Sequence, residues 1–346
     1  MTIINSNPVG PPAYAAPLQG RFRLKPQDFC VDEQMPVTLS GAGEHLWLQV
    51  RKIGANTDWV ATQLACAAGV AARDVGYAGL KDRHAVTTQW FSVQLPGKAD
   101  PVWQGLPDEI TLLQQQRHDK KLRRGALSAN HFTLTLRDCQ GDWAVAEAVC
   151  AQIRSQGFPN YYGEQRFGHE FGNIHKAQAW FAGQFKPKQR HQRSLYLSAA
   201  RSYLFNAILA ERVRQKTWQQ RIPGDVFMFA DGQSWFADDA SEDLAERLAA
   251  QAIHPTGALW GRGDLPTQDA ARQLELEQVA AFADLCTGLE QQGLKQERRA
   301  LRVSVSDLSL HMLDTTPEKA DWQLQFTLPP GAYATVLLAQ LGSFVS

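Results

Sequence analysis

Alternation of apolar and polar residues marks the first ordered part of the chain. Residues 28–35 and 44–53 alternate as half-buried strands do, with Leu46, Leu48 and Val50 on one side and His45, Trp47 and Gln49 on the other. The period then changes. Val60, Leu64 and Ala68 recur every fourth residue, Asn56 or Thr57 supplies an N-cap and Gly69 a stop, which predicts a helix through Ala68. Strands are predicted again at 75–79 and 86–95, so Leu80-Lys81-Asp82-Arg83-His84 is a polar connection between them. Strands at 109–115 and 132–136, and a helix over 143–155 ended by Gly157 and Pro159, complete one α+β unit.

From Asn160 the texture shifts to Gly, Gln and aromatics, and helical patterns follow at 173–181, 194–216, 241–251 and 268–291. After Arg302 strand texture returns in Val303 and Val305 and in Trp322, Leu324, Phe326 and Leu328, and a last helix starts near Pro330. Strands on both sides of a helical block predict an insertion into one sheet domain. The expected fold class is α+β, with a mixed or antiparallel sheet built from residues 1–158 and 306–346 and a mostly helical inserted domain over 159–305. The 346 residues suit about two domains.

With 44% hydrophobic and 20% charged positions, the chain is neither disordered nor fibrous. Lys+Arg 35 balance Asp+Glu 35, so any site for a polyanion must be a local patch. Three runs qualify: Arg117, His118, Lys120, Lys121, Arg123 and Arg124; Lys186, Lys188, Arg190, His191 and Arg193; and Arg298, Arg299 and Arg302. A single run of this kind is most often a solvated surface, whereas separate patches can grip one folded RNA by its phosphates. The five cysteines form no CxxC, and the Pro-rich leader up to Gln19 has neither a basic start nor an apolar run. No stretch of about 18 apolar residues occurs. A soluble protein of the reducing cytoplasm, without signal peptide or membrane contact, is expected.

The nine histidines show no HExxH or His-x-His spacing, and neither a phosphate-binding Gly-rich loop nor a dinucleotide fingerprint is present, so no metal site and no nucleotide cofactor are indicated. Asp82 is flanked by Lys81 and Arg83 in a connection shaped by Gly76 and Gly79. Neighbouring cations favour its ionised form, and a carboxylate so held can act as a nucleophile; the plain alternative is a turn Asp bonded to its own backbone. His84 invites an acid–base role, though a lone loop His is more often only solvated. Asn160-Tyr161-Tyr162-Gly163-Glu164-Gln165-Arg166-Phe167-Gly168 suits base stacking and packing at a domain junction equally well.

Taken together, several segments resemble the TruD family of tRNA pseudouridine synthases. They are Lys25-Pro26-Gln27-Asp28-Phe29-Cys30-Val31-Asp32-Glu33, Gly79 to Thr87, Gly125 to Phe132, Asn160 to Gly168, Ser198 to Ser202 with Phe205-Asn206, and Gly331-Ala332-Tyr333-Ala334-Thr335. They stand in the family's order across almost the whole chain. The resemblance implies a pseudouridine synthase catalytic domain with an inserted TRUD domain, and isomerisation of uridine to pseudouridine at position 13 of tRNA. It implies no cofactor, no metal and no obligate protein partner, and a monomer is expected. By motif position Asp82 is the nucleophile, attacking C1′ or C6, and Phe29, Asn130 and Tyr333 contact the substrate; Phe132 is a further candidate ring that can stack on the uracil or wall the pocket. For Phe29 and Phe132 core packing is the competing reading. Arg23 or Arg83 would be the basic partner of Asp82, with Arg23 preferred. Where many members carry Lys at the Arg23 position and Phe at the Tyr333 position, this chain differs. The alternative function is a non-catalytic RNA-binding or RNA-folding module of the same fold.

Overall fold

The structure, a computed structural model, describes residues 7–14, 18–315 and 320–346. The first stretch forms β1 (Leu18–Phe22), β2 (Phe29–Gln34), β3 (His45–Ile53), α1 (Thr57–Ala68), β4 (Val75–Tyr77), β5 (Val86–Gln94), β6 (Ile110–His118), β7 (Ala129–Gln140) and α2 (Trp143–Gln156). The middle stretch forms β8 (Phe158–Pro159), α3 (Gly172–Phe181), α4 (Arg190–Arg214), β9 (Val226–Phe229), β10 (Trp235–Ala237), α5 (Leu244–Ala249), β11 (Ile253–Leu259), α6 (Asp269–Ala280), α7 (Ala283–Gln291), β12 (Glu297–Ala300) and β13 (Arg302–Val303). The last stretch adds β14 (Ser306–Thr315), β15 (Ala320–Leu328), α8 (Ala334–Leu341) and β16 (Gly342–Val345).

These elements form two compact units. A sheet unit holds the described residues of 17–150, 305–331 and 342–346, and a second unit those of 1–16, 151–304 and 332–341. The chain passes between the units near 150/151 and 304/305, and the leader and α8 lie in the second unit. Hydrogen bonds tie them there: Asn206 Nδ2 donates to the Pro8 carbonyl at 2.8 Å, and the Ala13 N–H donates to Gln340 Oε1 at 2.8 Å.

In the sheet unit the strands run in the order β14-β15-β7-β2-β5-β3-β6, with β1 paired to β7 and β16, and β4 to β5. The sheet is mixed. The β2–β5 and β1–β16 pairs are parallel, and the others are antiparallel. Helix α1, ended by Gly69 at φ 61°, covers one face, where Leu46, Leu48 and Val50 meet Val60, Leu64, Phe91 and Val93. Burial of each such side chain contributes about 1.5–3 kcal/mol. Trp47 points the other way and is buried as well, packed on Trp90 at 6.1 Å between ring centroids. Strand β1, which the alternation pattern does not announce, begins at the end of the Pro-rich leader; Leu18 is 1% exposed, held by strands on both sides.

In the second unit α3, α4, α6 and α7 share a core that includes Phe167, Ile174, Leu204, Ile208, Leu285 and Leu289. Beside the expected helices this unit carries a four-stranded sheet, β10-β9-β11-β12, and the short pair β13-β8. The sequence hides β11 because Pro255 and Gly257 interrupt it. The glycine is required there: a Cβ would lie 2.9 Å from Leu301 Cδ2 and 3.2 Å from the Phe205 ring. The helix expected over 268–291 is two helices, because Phe282 leaves helical geometry and packs edge-on against Tyr203, 5.0 Å between ring centroids.

Candidate active site

Strand register assembles the site. β2 runs parallel to β5 with Cys30 opposite Val86, and β3 antiparallel to β5 with Lys52 opposite Thr87. The turn entering β2, the connection entering β5 and the end of β3 therefore meet at one end of the strands. Arg23 lies in that turn and Asp82 in that connection. Directly opposite residues share a face of a sheet, so the register Phe29–Leu134, Val31–Phe132 and Glu33–Asn130 sets Phe29, Glu33, Asn130 and Phe132 on one face.

Arg23 follows β1 directly at φ 60°, a left-handed conformation that costs a residue with a Cβ about 1–2 kcal/mol. The turn lays its guanidinium over Phe29, Cζ 3.7 Å from the ring centroid, and lets Nη2 donate to Asp82 Oδ2 at 3.2 Å. Burial pushes the Arg23 pKa down and the Asp82 charge opposes it. The Asp82 side chain is 46% exposed, so the pair is open to a ligand and contributes little to stability. Arg83 and His84 are exposed, and Arg83 makes no ion pair among the described residues. The contact to Asp82 falls to Arg23.

The connection itself is held at several atoms. Thr57 Oγ1 accepts from the Lys81 N–H at 3.0 Å, Gln89 Nε2 donates to the Gly79 carbonyl at 3.3 Å, and Lys52 Nζ donates to the Asp82 carbonyl at 2.8 Å. The Lys81 side chain donates to Asn130 Oδ1 and stands 3.2 Å from Glu33 Oε1, an ion pair without hydrogen-bond geometry. Glu33 Oε2 accepts from the Trp90 N–H at 2.9 Å. An ammonium can only donate, so the Asn130 oxygen is the atom facing Lys81 and Nδ2 is what Asn130 offers a ligand. Phe29 and Phe132 are 1% and 8% exposed and meet edge to face, and Phe132 stacks on Phe326 at 5.1 Å. Both are core residues whose rings border the Arg23 turn or the Asn130 strand.

Tyr333 belongs to the second unit, in the turn before α8. Its hydroxyl accepts from Arg166 Nε at 2.9 Å and Nη2 at 2.7 Å, while Arg166 Nη1 donates to Ser198 Oγ at 3.0 Å. Tyr162 lies 6.1 Å away between ring centroids, with Arg299 Cζ 4.1 Å from the Tyr162 centroid. Within the Asn160–Gly168 segment Tyr161 and Phe167 are packed in the interior and Tyr162 and Arg166 are half-buried. Tyr333→Phe strips Arg166 of an acceptor for two charge-assisted bonds, and we expect a loss of about 1–3 kcal/mol in urea unfolding; an unchanged midpoint would show the pair to be idle.

The three basic runs differ in how far they reach solvent. Arg298 pairs with Glu275 at 2.8 Å, Arg302 donates to His254 Nδ1 at 2.9 Å, and both are buried, while Arg299 is half-buried with its guanidinium over the Tyr162 ring; the third run is therefore no open row of surface charge. In the first run Arg117 is taken up by Asp100 at 2.6 Å and His118 is buried, while Lys120, Arg123 and Arg124 are exposed. Lys186, Lys188, Arg190, His191 and Arg193 are all exposed.

Sequence reasoning gave no role to Lys52, Glu33 or the Asp28–Arg137 pair, Oδ1 to Nη2 at 2.7 Å, that fixes the turn before Phe29, and took Lys81 only as a charge beside Asp82. One signal was readable: Lys52 has the same parity as Leu46, Leu48 and Val50 and so had to face the core.

Residues 12–186 and 179–341 match the family model of tRNA pseudouridine synthase D (TruD). The chain belongs to the TruD family. Proteins called tRNA pseudouridine synthase D from Hydrogenovibrio crunogenus and Methylococcus capsulatus are each 49% identical to it, over 321 and 328 residues. The alignments cover 92% and 94% of this chain and 92% of each relative. The crystal structure of the putative tRNA pseudouridine synthase D (TruD) of Methanosarcina mazei has the same fold, with a TM-score of 0.76 at 20% identity over 96% of this chain and 95% of that one. In this TruD-family chain no helix among the described residues is long and apolar enough to cross a membrane.

Proposed function

We propose that the protein isomerises uridine to pseudouridine in tRNA, at position 13, with Asp82 as nucleophile and Arg23 as its basic partner. The observation that carries the reading is the Arg23–Asp82 contact, formed on a connection pinned from Thr57, Gln89 and Lys52 and bordered by Phe29 and Asn130. Asp82 attacks the nucleoside at C1′ or C6, the N1–C1′ bond breaks, the uracil turns and C5 bonds to C1′; the bond to Asp82 is then released, which restores the carboxylate, and the C5 proton leaves while N1 takes one up. A base inside a stack cannot reach a carboxylate on a protein, so the nucleotide is extruded at a cost of a few kcal/mol. Asn130 Nδ2 donates to a uracil carbonyl, and the Phe29 and Phe132 rings wall the pocket beside it. The reading takes the protein as a cytoplasmic monomer whose partner is tRNA.

The test is mapping of pseudouridine by carbodiimide-based primer extension in unmodified tRNA incubated with the protein. A single new stop reporting position 13 is expected. Binding without any stop would favour a non-catalytic RNA module, and an abasic site would favour a hydrolase. The exposed run at 186–193 is expected to touch phosphate, so Lys188→Gln should lower the steepness of log K against log salt by about 0.7–0.9. An unchanged slope would remove Lys188 from the interface.

A further inference from the structure

We propose that Lys52 is the positioning residue of the candidate nucleophile, setting where the Asp82 main chain stands rather than holding the fold together. The proposal rests on the reading of Asp82 given above. Lys52 has no exposed surface. Its Nζ donates to two carbonyl oxygens, Ala55 at 2.7 Å and Asp82 at 2.8 Å, and to no carboxylate. The first bond anchors the ammonium to the turn that follows β3, and the second carries that anchor to residue 82 itself. Thr57 and Gln89 hold the connection at Lys81 and Gly79, and Arg23 holds the Asp82 carboxylate; Lys52 is what the described residues offer to the Asp82 backbone.

The choice of residue argues for a role beyond folding. An apolar side chain would suit this core-facing position of β3, where Leu46, Leu48 and Val50 precede it, and a buried ammonium without an ion-pair partner opposes folding. The environment bears this out: burial drives the Lys52 pKa down to about 8, and the Asp82 charge is the influence that opposes the shift. Lys52 thus acts on Asp82 twice, through a hydrogen bond to its carbonyl and through attraction to its ionised carboxylate. A displacement of about 1 Å at a reacting group costs on the order of 10²-fold in rate, so loss of the anchor reads out in turnover.

The experiment uses the full chain and an unmodified tRNA, with Lys52→Met, which is close in volume but carries neither charge nor donor. The expected result is a kcat lower by about 10²-fold, KM and tRNA affinity within about twofold of wild type, and a Tm that is unchanged or higher. A folded Lys52→Met protein with wild-type kcat overturns the proposal. So does a variant that loses Tm, tRNA binding and kcat together, or fails to fold, because Lys52 would then be a residue of the fold. Asp82→Asn runs alongside: if it stays active the reading of Asp82 has failed, whereas an inactive Asp82→Asn beside a fully active Lys52→Met sinks the positioning role alone.

Discussion

Replacing Asp82 with asparagine is expected to lower pseudouridine formation by more than about 10³-fold while leaving the folded protein and its affinity for tRNA intact. The substitution keeps shape and removes the nucleophilic charge. Little of the fold depends on the side chain: it is 46% exposed, and its one described partner, Arg23, also rests on the Phe29 ring. The backbone of residue 82 keeps its bond from Lys52 in the variant. Single-turnover assays on unmodified tRNA, paired with filter binding, separate the two quantities. Turnover within tenfold of wild type would mean that another group attacks the nucleoside. Equal loss of binding and turnover would mean that Asp82 contributes charge to docking and not to chemistry.

The second large effect concerns stability. Arg212 and Asp225 form a two-pronged pair, Nη1 to Oδ1 at 2.8 Å and Nη2 to Oδ2 at 3.0 Å, with side chains 3% and 1% exposed. Arg212 also donates to the Thr217 and Gln220 carbonyls, and Asp225 accepts from the Ile222 N–H, so the pair closes the chain leaving α4. Burial pushes the Asp225 carboxyl pKa up and the guanidinium pushes it back. Asp225→Ala leaves a buried cation without its counter-charge, and the expected loss is about 3–5 kcal/mol in urea unfolding. A double replacement, Arg212→Met with Asp225→Leu, should recover most of that loss, because the attraction in the native pair is largely offset by desolvation of both ions. A single variant that loses less than about 1 kcal/mol would show the site to be wetter than its geometry implies.

Much of the sheet unit was legible because each strand announces its own faces. Leu46, Leu48 and Val50 alternate, and so do Trp322, Leu324, Phe326 and Leu328, and these strands appear within a few residues of their expected bounds. Gly69 stops α1 as a left-handed cap should. Pairing was not legible, since the contact of Arg23 with Asp82 depends on β2 running parallel to β5, a property of two strands far apart in sequence. Nor was the left-handed turn at Arg23, which has no glycine or asparagine to signal it. In the second unit the strands at Val226–Phe229 and Ile253–Leu259 were masked by shortness and by Pro255 and Gly257, and the break at Phe282 by the absence of any breaker residue. The three arginines at 298, 299 and 302 read as surface charge by composition, yet Arg298 and Arg302 are buried and Arg299 half-buried, because carbonyls, Glu275, His254 and the Tyr162 ring receive them.

The parallel pairing of β1 with β16 sets an order of events. A ribosome releases residues 18–22 long before residues 342–345, yet β1 is flanked in the finished sheet by β7 on one side and β16 on the other. During synthesis β1 can lie against β7 alone, with its other edge unpaired, until Gly342 to Val345 arrive to cover it. Arg23 follows β1 without a spacer, so the strand that leads into the Asp82 contact has both edges paired only once β16 has docked. A product that stops before Gly342 would keep Asp82 in its sequence and leave β1, the strand that leads into Arg23, with one edge unpaired.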